Sequence, residues 1–291
     1  MQPDPTAAFG RKRRPRLSDR ETERLLLTTA AAAVARDGLR VGLDHIQLEE
    51  LIRQAGVARS AVYRRWPNKE AFLGDLLLEL AAGEAPLAAT GSDAASALVR
   101  RILSERLDTL TTPDGRRAAA AELIRETTLL DFQHILGSPQ WRTYLALTVT
   151  VAGLPEGDLR HEVTAALAAS ERTFTGRIAH SHRVVADLLG LRPAHPGVSF
   201  ETIAHLGNAL VRGLITKATA TPELAEQRVP ASIGGASGDW SLPALGLAAI
   251  TLTYLEPDPE VTWTEAGLAR LRARLDNAED LFAPRQDIVD G

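Results

Sequence analysis

The sequence predicts a nearly all-helical protein. Alanine and leucine dominate its 291 residues, and segments with the alternating pattern of a half-buried strand are hard to find. Apolar residues instead recur three and four positions apart, as at Leu48, Leu51, Ile52 and Ala55, which places them on one face of a helix. The chain is long enough for one large domain or two smaller ones.

Composition narrows the functional classes. The chain has no cysteine, so disulfides and thiolate chemistry are excluded, and a structural zinc site is not expected. The N-terminus has no apolar signal-peptide core, and no apolar run approaches the roughly 18 residues of a membrane span. We therefore expect a cytoplasmic protein without a membrane partner, metal or cofactor.

Charge is unevenly distributed along the chain. Residues 1–69 carry a net charge of +6, whereas the remaining residues carry −10. A basic end on an acidic body indicates that only the N-terminal part meets a polyanion, although a chance fluctuation of surface charge would look the same.

Residues 1–16 are expected to form a disordered basic arm. They contain three prolines and a cluster made of Arg11, Lys12, Arg13 and Arg14. Such an arm can lie in the minor groove of DNA, whose negative potential attracts it. It can equally be a solubilising tail, and the sequence leaves both alternatives open.

Two short helices joined by a tight turn are predicted over residues 46–66. Gly56 suits the left-handed conformation that such a turn needs. In the second helix, Val57, Val62 and Trp66 would hold one side against a scaffold, which is the arrangement of a helix-turn-helix whose second helix enters the major groove. The side chains left to face DNA are Arg59, Ser60, Tyr63, Arg64 and Arg65.

The segment from Gly56 to Phe72, GVARSAVYRRWPNKEAF, resembles the signature of the tetracycline-repressor (TetR) family of transcriptional regulators. The resemblance extends back to the first helix and covers about a quarter of the chain. It implies a three-helix helix-turn-helix DNA-binding domain at residues 17–82 and a larger helical ligand-binding and dimerisation domain at 83–291. The implied partners are a double-stranded operator, a second copy of the chain and a small-molecule effector.

The family resemblance also implies roles by position. Tyr63 and Lys69 would contact backbone phosphates, as would Arg65, and Arg59 and Ser60 would touch bases. The alternatives are a solvated helix-start residue for Lys69 and a partly buried core aromatic for Tyr63.

The sequence departs from the family pattern at three places, the first of which is a spacing between Gly38 and Gly56 that is about four residues longer than usual. Ile46 and Gln47 replace the threonines that often open the second helix, so that a phosphate contact there is in doubt, although Asp44 or Gln47 could cap that helix. Ala61 stands in the recognition segment where many members have threonine. We therefore expect phosphate anchoring to depend more on Arg64 and Arg65.

Long helices are predicted beyond Gly83. Their expected spans are 93–111, 116–136, 139–152, 158–189, 199–220, 243–256 and 263–282. The glycine-rich residues 222–242 are expected to form a mobile loop. Thr262 and Glu265 match a capping box at the start of the last helix.

Two of these helices have an apolar seam at three- and four-residue spacing. The seam residues are Phe174, Ile178, Val185, Leu206, Leu210 and Leu214. By analogy with the family, two such helices from each subunit would form a four-helix dimer interface. The alternative is that both stripes belong to the core of one subunit.

A ligand pocket is expected around four residues on two consecutive helices. They are Phe132, His134, Trp141 and Tyr144, in the part of the domain where family members bind effectors. Aromatic residues on helices are also common in cores, so burial alone would explain them.

The sequence contains no catalytic motif of the metalloprotease, serine hydrolase or P-loop kind. We therefore predict a homodimeric repressor that a small apolar ligand releases from a near-palindromic operator, and not an enzyme. Two alternatives stay open. One is a helix-turn-helix regulator controlled by a protein partner or by its abundance, and the other is an enzyme fused to a DNA-binding domain.

Overall fold

The computed structural model describes residues 17–38, 46–83 and 92–276. They belong to two compact units that divide between Leu80 and Ala81. The basic cluster predicted at 11–14 and Asp44 lie outside the described residues. Helices dominate the described part of the chain, which confirms the predicted fold class. In that part no helix combines the length and apolar character needed to cross a bilayer.

The first unit consists of helices that the sequence signals largely specify. They are α1 (Asp19–Asp37), α2 (Leu48–Ala55), α3 (Arg59–Arg65) and α4 (Lys69–Ala82). Ser18 and Glu21 form a capping box at the start of α1, as the Ser-x-x-Glu spacing in the sequence indicates, and Gly56 takes the left-handed conformation at φ 65° between α2 and α3. Gln47 occupies the N-cap of α2 without a side-chain hydrogen bond, so its predicted capping role was wrong.

Two aromatic residues pack against each other in the core of the first unit. Trp66 and Phe72 are fully buried and meet edge to face with ring centroids 5.3 Å apart. Trp66 Nε1 donates a hydrogen bond to Asp75 on α4 at 2.8 Å, so the indole is anchored at its polar end as well. Within α3 itself Val62 is the buried residue, and the short helix is held mainly by this residue and the adjoining Trp66.

The second unit is also mainly helical. Its helices are α5 (Asp93–Arg106), a 3₁₀ helix (Leu107–Thr111), α6 (Pro113–Gly137), α7 (Pro139–Ala152), α8 (Asp158–Leu189), α9 (Phe200–Ala220), α10 (Glu223–Glu226), α11 (Leu242–Tyr254) and α12 (Glu265–Asp276). The most extensive packing joins α6 to α5 and α11, and α8 to α9. The single helix predicted over 93–111 is therefore two elements. Thr264, not Thr262, accepts a hydrogen bond from Gly267 N–H at the start of α12.

Within the described residues, four short strands interrupt the helices. They are β1 (Leu191–Pro193), β2 (Arg228–Ile233), β3 (Ala236–Ser241) and β4 (Leu255–Pro257), paired antiparallel as β1–β4 and β2–β3.

The β2–β3 hairpin corrects the mobile loop predicted over 222–242. Gly234 and Gly235, both with positive φ, form a two-residue turn of the kind that matches strand twist. Trp240 is fully buried, and its Nε1 donates to the Ala231 carbonyl at 3.2 Å. The glycines also allow close packing, because a Cβ at Gly235 would lie 3.0 Å from the Ala118 methyl on α6.

Candidate functional site

Helix α3 presents its polar side chains on the surface of the first unit. Val57, Val62 and Trp66 are buried as the sequence predicts, and they hold α3 against α1 and α4. Because these contacts lie on one side, the opposite side is exposed. The five side chains of α3 that were predicted to face DNA are all exposed: Arg59, Ser60, Tyr63, Arg64 and Arg65. Ala61 is half-buried, and so is Lys69 at the start of α4.

Glu49 on α2 contacts two of the predicted DNA-binding side chains. Its Oε1 accepts a hydrogen bond from the Tyr63 hydroxyl at 2.6 Å and lies 2.8 Å from Arg59 Nη2. The Arg59 guanidinium also lies 5.5 Å from the centre of the Tyr63 ring. The hydrogen bond to Glu49 raises the pKa of Tyr63 above its ordinary value, so the hydroxyl keeps its proton at neutral pH.

The other two arginines of α3 are paired with α1 and α4. Arg64 forms an ion pair with Asp19. Arg65 bridges two helices, since its Nη2 lies 3.1 Å from Glu23 on α1 and 2.7 Å from Asp75 on α4. Arg65 therefore connects three helices of the first unit, in addition to the phosphate contact predicted for it.

The predicted ligand residues of the second unit do not share one cavity. Phe132 on α6 is buried and His134 on the same helix is exposed to solvent. Trp141 and Tyr144 on α7 are buried close together, with ring centroids 5.7 Å apart.

Trp141 and Tyr144 are instead part of a cluster centred on Arg212 of α9. The guanidinium lies 5.1 Å from the Tyr144 ring centre, 5.4 Å from that of Phe174 and 5.9 Å from that of Trp141. Glu171 on α8 accepts hydrogen bonds from Arg212 and from the Tyr144 hydroxyl, at 2.8 and 2.7 Å. Burial, together with this bond to Glu171, raises the pKa of Tyr144 to about 12.

Two apolar cavities lie elsewhere in the second unit. The larger measures about 110 Å³ and is bordered mainly by α6, α8 and α11; the smaller measures about 70 Å³ and is bordered mainly by α6, α8 and α9. None of the four predicted ligand residues lines either cavity. The four predicted residues include the aromatic cluster rather than the lining of these cavities, because aromatic side chains on adjacent helices pack with one another.

The α8 part of the predicted dimer seam faces the interior of the unit. Phe174 is buried against Trp141, and Ile178 and Val185 line the two cavities. The assignment of Phe174 to a dimer interface is corrected, because three- and four-residue spacing fits packing within one chain as well as packing between chains. Ile178 and Val185 are half-buried, and their dimer role stays a prediction. On α9, Leu206 is 42% exposed.

The other two seam residues on α9 are half-buried. Leu210 packs on α11, where a Cβ at Gly246 would lie 2.5 Å from its Cδ2 atom. Leu214 is also half-buried. The dimer role of these residues and of Leu206 stays a prediction.

Comparison with known proteins identifies the first unit. Residues 28–76 match the family described as "Bacterial regulatory proteins, tetR family". Residues 28–76 therefore form a domain of the TetR family. "Uncharacterized HTH-type transcriptional regulator" proteins of Mycobacterium bovis and Mycobacterium tuberculosis are each 35% identical to it over 82 residues, which are 27% of this chain. The matched segment spans 40% of the length of these relatives, so this chain covers less than half of each of them.

Two solved structures are similar over a larger share of the chain, at lower identity. The reduced form of NemR from Escherichia coli is 17% identical, covers 82% of this chain and 99% of its own, and has a TM-score of 0.41. A SmeT–triclosan complex is 18% identical, covers 84% and 96%, and has a TM-score of 0.39.

Within this TetR-family domain, sequence reasoning missed the carboxylates that face α3. Glu49, Asp19, Glu23 and Asp75 lie on other helices, 10 to 45 positions away from the arginine or tyrosine that each contacts. No local spacing pattern reports contacts at that separation. The one sequence signal for such partners was that residues 1–69 contain several acidic residues although their net charge is positive.

Proposed function

We propose that this TetR-family chain is a cytoplasmic, sequence-specific DNA-binding transcriptional regulator. In the proposed mechanism, a homodimer represses transcription from a near-palindromic operator, and a small, largely apolar ligand releases it. The observation that carries the proposal is the exposed, arginine-rich face of α3, held by Val62 and Trp66 in a domain of the TetR family.

The chemistry of α3 suits readout of the major groove. Arg59 and Ser60 lie in the first turn of the helix, which is the part of a recognition helix that reaches base edges. An arginine can donate two hydrogen bonds to guanine O6 and N7, and a serine hydroxyl can pair with several bases. Tyr63 and Lys69 would contact phosphates on either side and so fix the register without reading sequence.

A homodimer would place two α3 helices in successive major grooves. Their separation would have to match one helical turn, roughly 34 Å. Leu206 supports a contact between subunits, because an exposed leucine on α9 gains free energy when it is covered. Leu206→Glu should then shift the dimer toward monomer in sedimentation velocity, and Leu159→Glu, at 37% exposure outside α9, serves as the control.

The cavities of the second unit support control by a small molecule. A ligand that binds one conformer more tightly than another shifts the population toward it, and a conformer with the two DNA-binding domains at the wrong spacing would leave the operator. Control by a protein partner requires no such cavity, and it is the alternative that a ligand-binding measurement distinguishes from control by a small molecule.

DNA selection with the purified full-length chain tests the proposal. A random duplex library is bound and sequenced through several rounds, and the expected result is one enriched motif with two related half-sites. The matched pair of variants is Arg59→Ala and Arg53→Ala. Both arginines are highly exposed and paired with a glutamate of α2, but Arg53 lies outside α3.

Arg59→Ala should relax base preference at one position of each half-site, at a cost of roughly 1–3 kcal/mol if Arg59 reads a guanine. Arg53→Ala should leave the motif unchanged. Equal loss of affinity on every sequence would make Arg59 a phosphate contact, and no enriched motif for the unaltered chain would refute sequence-specific binding.

A further inference from the structure

The larger cavity of the second unit has a size that suits a small ring. An apolar cavity of roughly 150 Å³ takes up benzene, and this cavity, at about 110 Å³, adjoins the smaller one of about 70 Å³. The two cavities share Thr128, Asp131, His182 and Leu247 as lining residues. Most of the remaining lining of the larger cavity is aliphatic.

Five uncharged polar side chains line the larger cavity, and they divide into two sets. Thr127 and Ser181 donate hydrogen bonds to carbonyls of their own helices, at 2.7 and 3.1 Å. Thr128 Oγ1, His182 Nδ1 and Thr251 Oγ1 are buried with no hydrogen-bond partner. The unpaired set comes from three different helices, α6, α8 and α11, and all three members border the same cavity.

Unpaired buried polar atoms are rare in folded proteins, because each has lost water without gaining a partner. Three of them around one cavity mark a place where a polar group, either of a bound water or of a ligand, would gain hydrogen bonds. Threonine in a helix occupies two χ1 rotamers, so the hydroxyls of Thr128 and Thr251 can reorient toward a group placed between the helices.

Charge restricts what such a ligand can be. The lining of both cavities contains no lysine or arginine, and it contains Asp131. Burial lowers the pKa of His182 to about 4, so the imidazole is neutral at pH 7 and offers no positive charge. A carboxylate or phosphate ligand would be buried here beside a like charge and without a counter-ion.

We propose that this cavity binds a small, neutral, mostly apolar ring compound that carries one hydroxyl group, and that Thr128, His182 and Thr251 recognise the hydroxyl. This inference rests on the proposed function for its biological meaning, since the compound would be the class of effector that controls DNA binding. It moves the ligand site from the predicted residues Trp141 and Tyr144 to the helices that surround His182.

Phenol, toluene and benzoate are suitable probes, because they share one ring and differ in a single substituent. Binding to the full-length chain is measured by calorimetry at pH 7 without DNA. Phenol should bind saturably and benzoate should bind at least about tenfold more weakly, as expected for an unpaired buried charge. Thr251→Val and Thr128→Val should each weaken phenol binding about three- to tenfold, and neither should weaken toluene binding.

Thr175→Val is the matched control. Thr175 on α8 is also a buried threonine with an unpaired hydroxyl, but it lines neither cavity. His182→Phe keeps an aromatic ring and removes the nitrogen, so it should weaken phenol binding while toluene still binds. Circular dichroism checks that each variant is folded.

Three results would overturn the proposal: no saturable phenol binding below its solubility limit, benzoate binding as tight as phenol binding, or an equal loss of affinity in Thr175→Val. The outcome is separable from that of the proposed function because DNA is absent. If the chain binds phenol but enriches no DNA motif, the ligand site is supported and the proposed regulatory function is refuted. If it enriches a DNA motif but does not bind phenol, the proposed function is supported and the ligand site is refuted.

Discussion

Replacing Glu49 by glutamine should strengthen DNA binding. In the absence of DNA, the Glu49 carboxylate accepts a hydrogen bond from Tyr63 and pairs with Arg59, two of the side chains expected to contact DNA. Both must exchange Glu49 for DNA, and the carboxylate then remains close to the phosphates. Glutamine keeps the shape of the side chain and removes the charge, so either cost becomes smaller.

The magnitude follows from the exposure of the pair. The Arg59 and Glu49 side chains are 70% and 52% exposed, and an ion pair of that kind contributes about 0.5 kcal/mol. A carboxylate about 8 Å from a phosphate in water adds about 0.5 kcal/mol of repulsion before screening. The sum predicts binding about fivefold tighter per half-site, and about 25-fold tighter for a dimer on two half-sites.

The assay is fluorescence anisotropy with the selected operator and with a scrambled duplex of equal length. Glu50→Gln is the control, because Glu50 lies beside Glu49 on α2 and pairs with Arg53 instead of a residue of α3. The gain in operator affinity should be at least about threefold larger for Glu49→Gln than for Glu50→Gln, since only the first substitution releases side chains of α3. Equal gains in affinity for the two variants would show that the effect comes from net charge alone. Weaker DNA binding by Glu49→Gln would show that the carboxylate positions Arg59 in the complex.

Three further predictions concern single contacts in each unit. Lys69→Ala should weaken all DNA sequences alike and reduce the slope of log K against log salt by about one per subunit, and an unchanged slope would make Lys69 a solvated surface residue. Phe72→Ala removes a fully buried ring packed on Trp66 and should cost about 3–5 kcal/mol in urea unfolding of the first unit. A loss below about 1 kcal/mol would contradict that packing. Burial opposes the charge of Glu171, but hydrogen bonds from Tyr144 and Arg212 outweigh it and hold the pKa of Glu171 below its usual 4.5. A lowered carboxyl pKa adds stability above pH 4.5 that is lost as the pH falls through the folded pKa, so Glu171→Gln should flatten the thermal-unfolding profile between pH 6 and pH 3, and an unaltered profile would exclude this contribution.

Local signals in the sequence predicted the first unit well. The Ser18 capping box and the left-handed Gly56 each satisfy backbone groups within a few residues, so their geometry is encoded in short segments. Burial of Val62 and Trp66 likewise follows from their helical spacing.

Long-range contacts could not be predicted in this way. The β2–β3 hairpin was missed because its glycines suggested mobility, whereas they form a two-residue turn that packs on α6. The α8 seam was assigned to a dimer because apolar spacing does not say which chain covers it. The unpaired atoms around His182 depend on the juxtaposition of three helices, which no single segment specifies.

DNA selection with the full-length chain tests the central claim most directly. The account predicts a near-palindromic motif whose half-sites lie about one helical turn apart, with base preference at one position of each half-site lost in Arg59→Ala and retained in Arg53→Ala. A library that emerges unenriched, or a motif that Arg59→Ala leaves unchanged, would contradict the assignment of α3 as the helix that reads DNA.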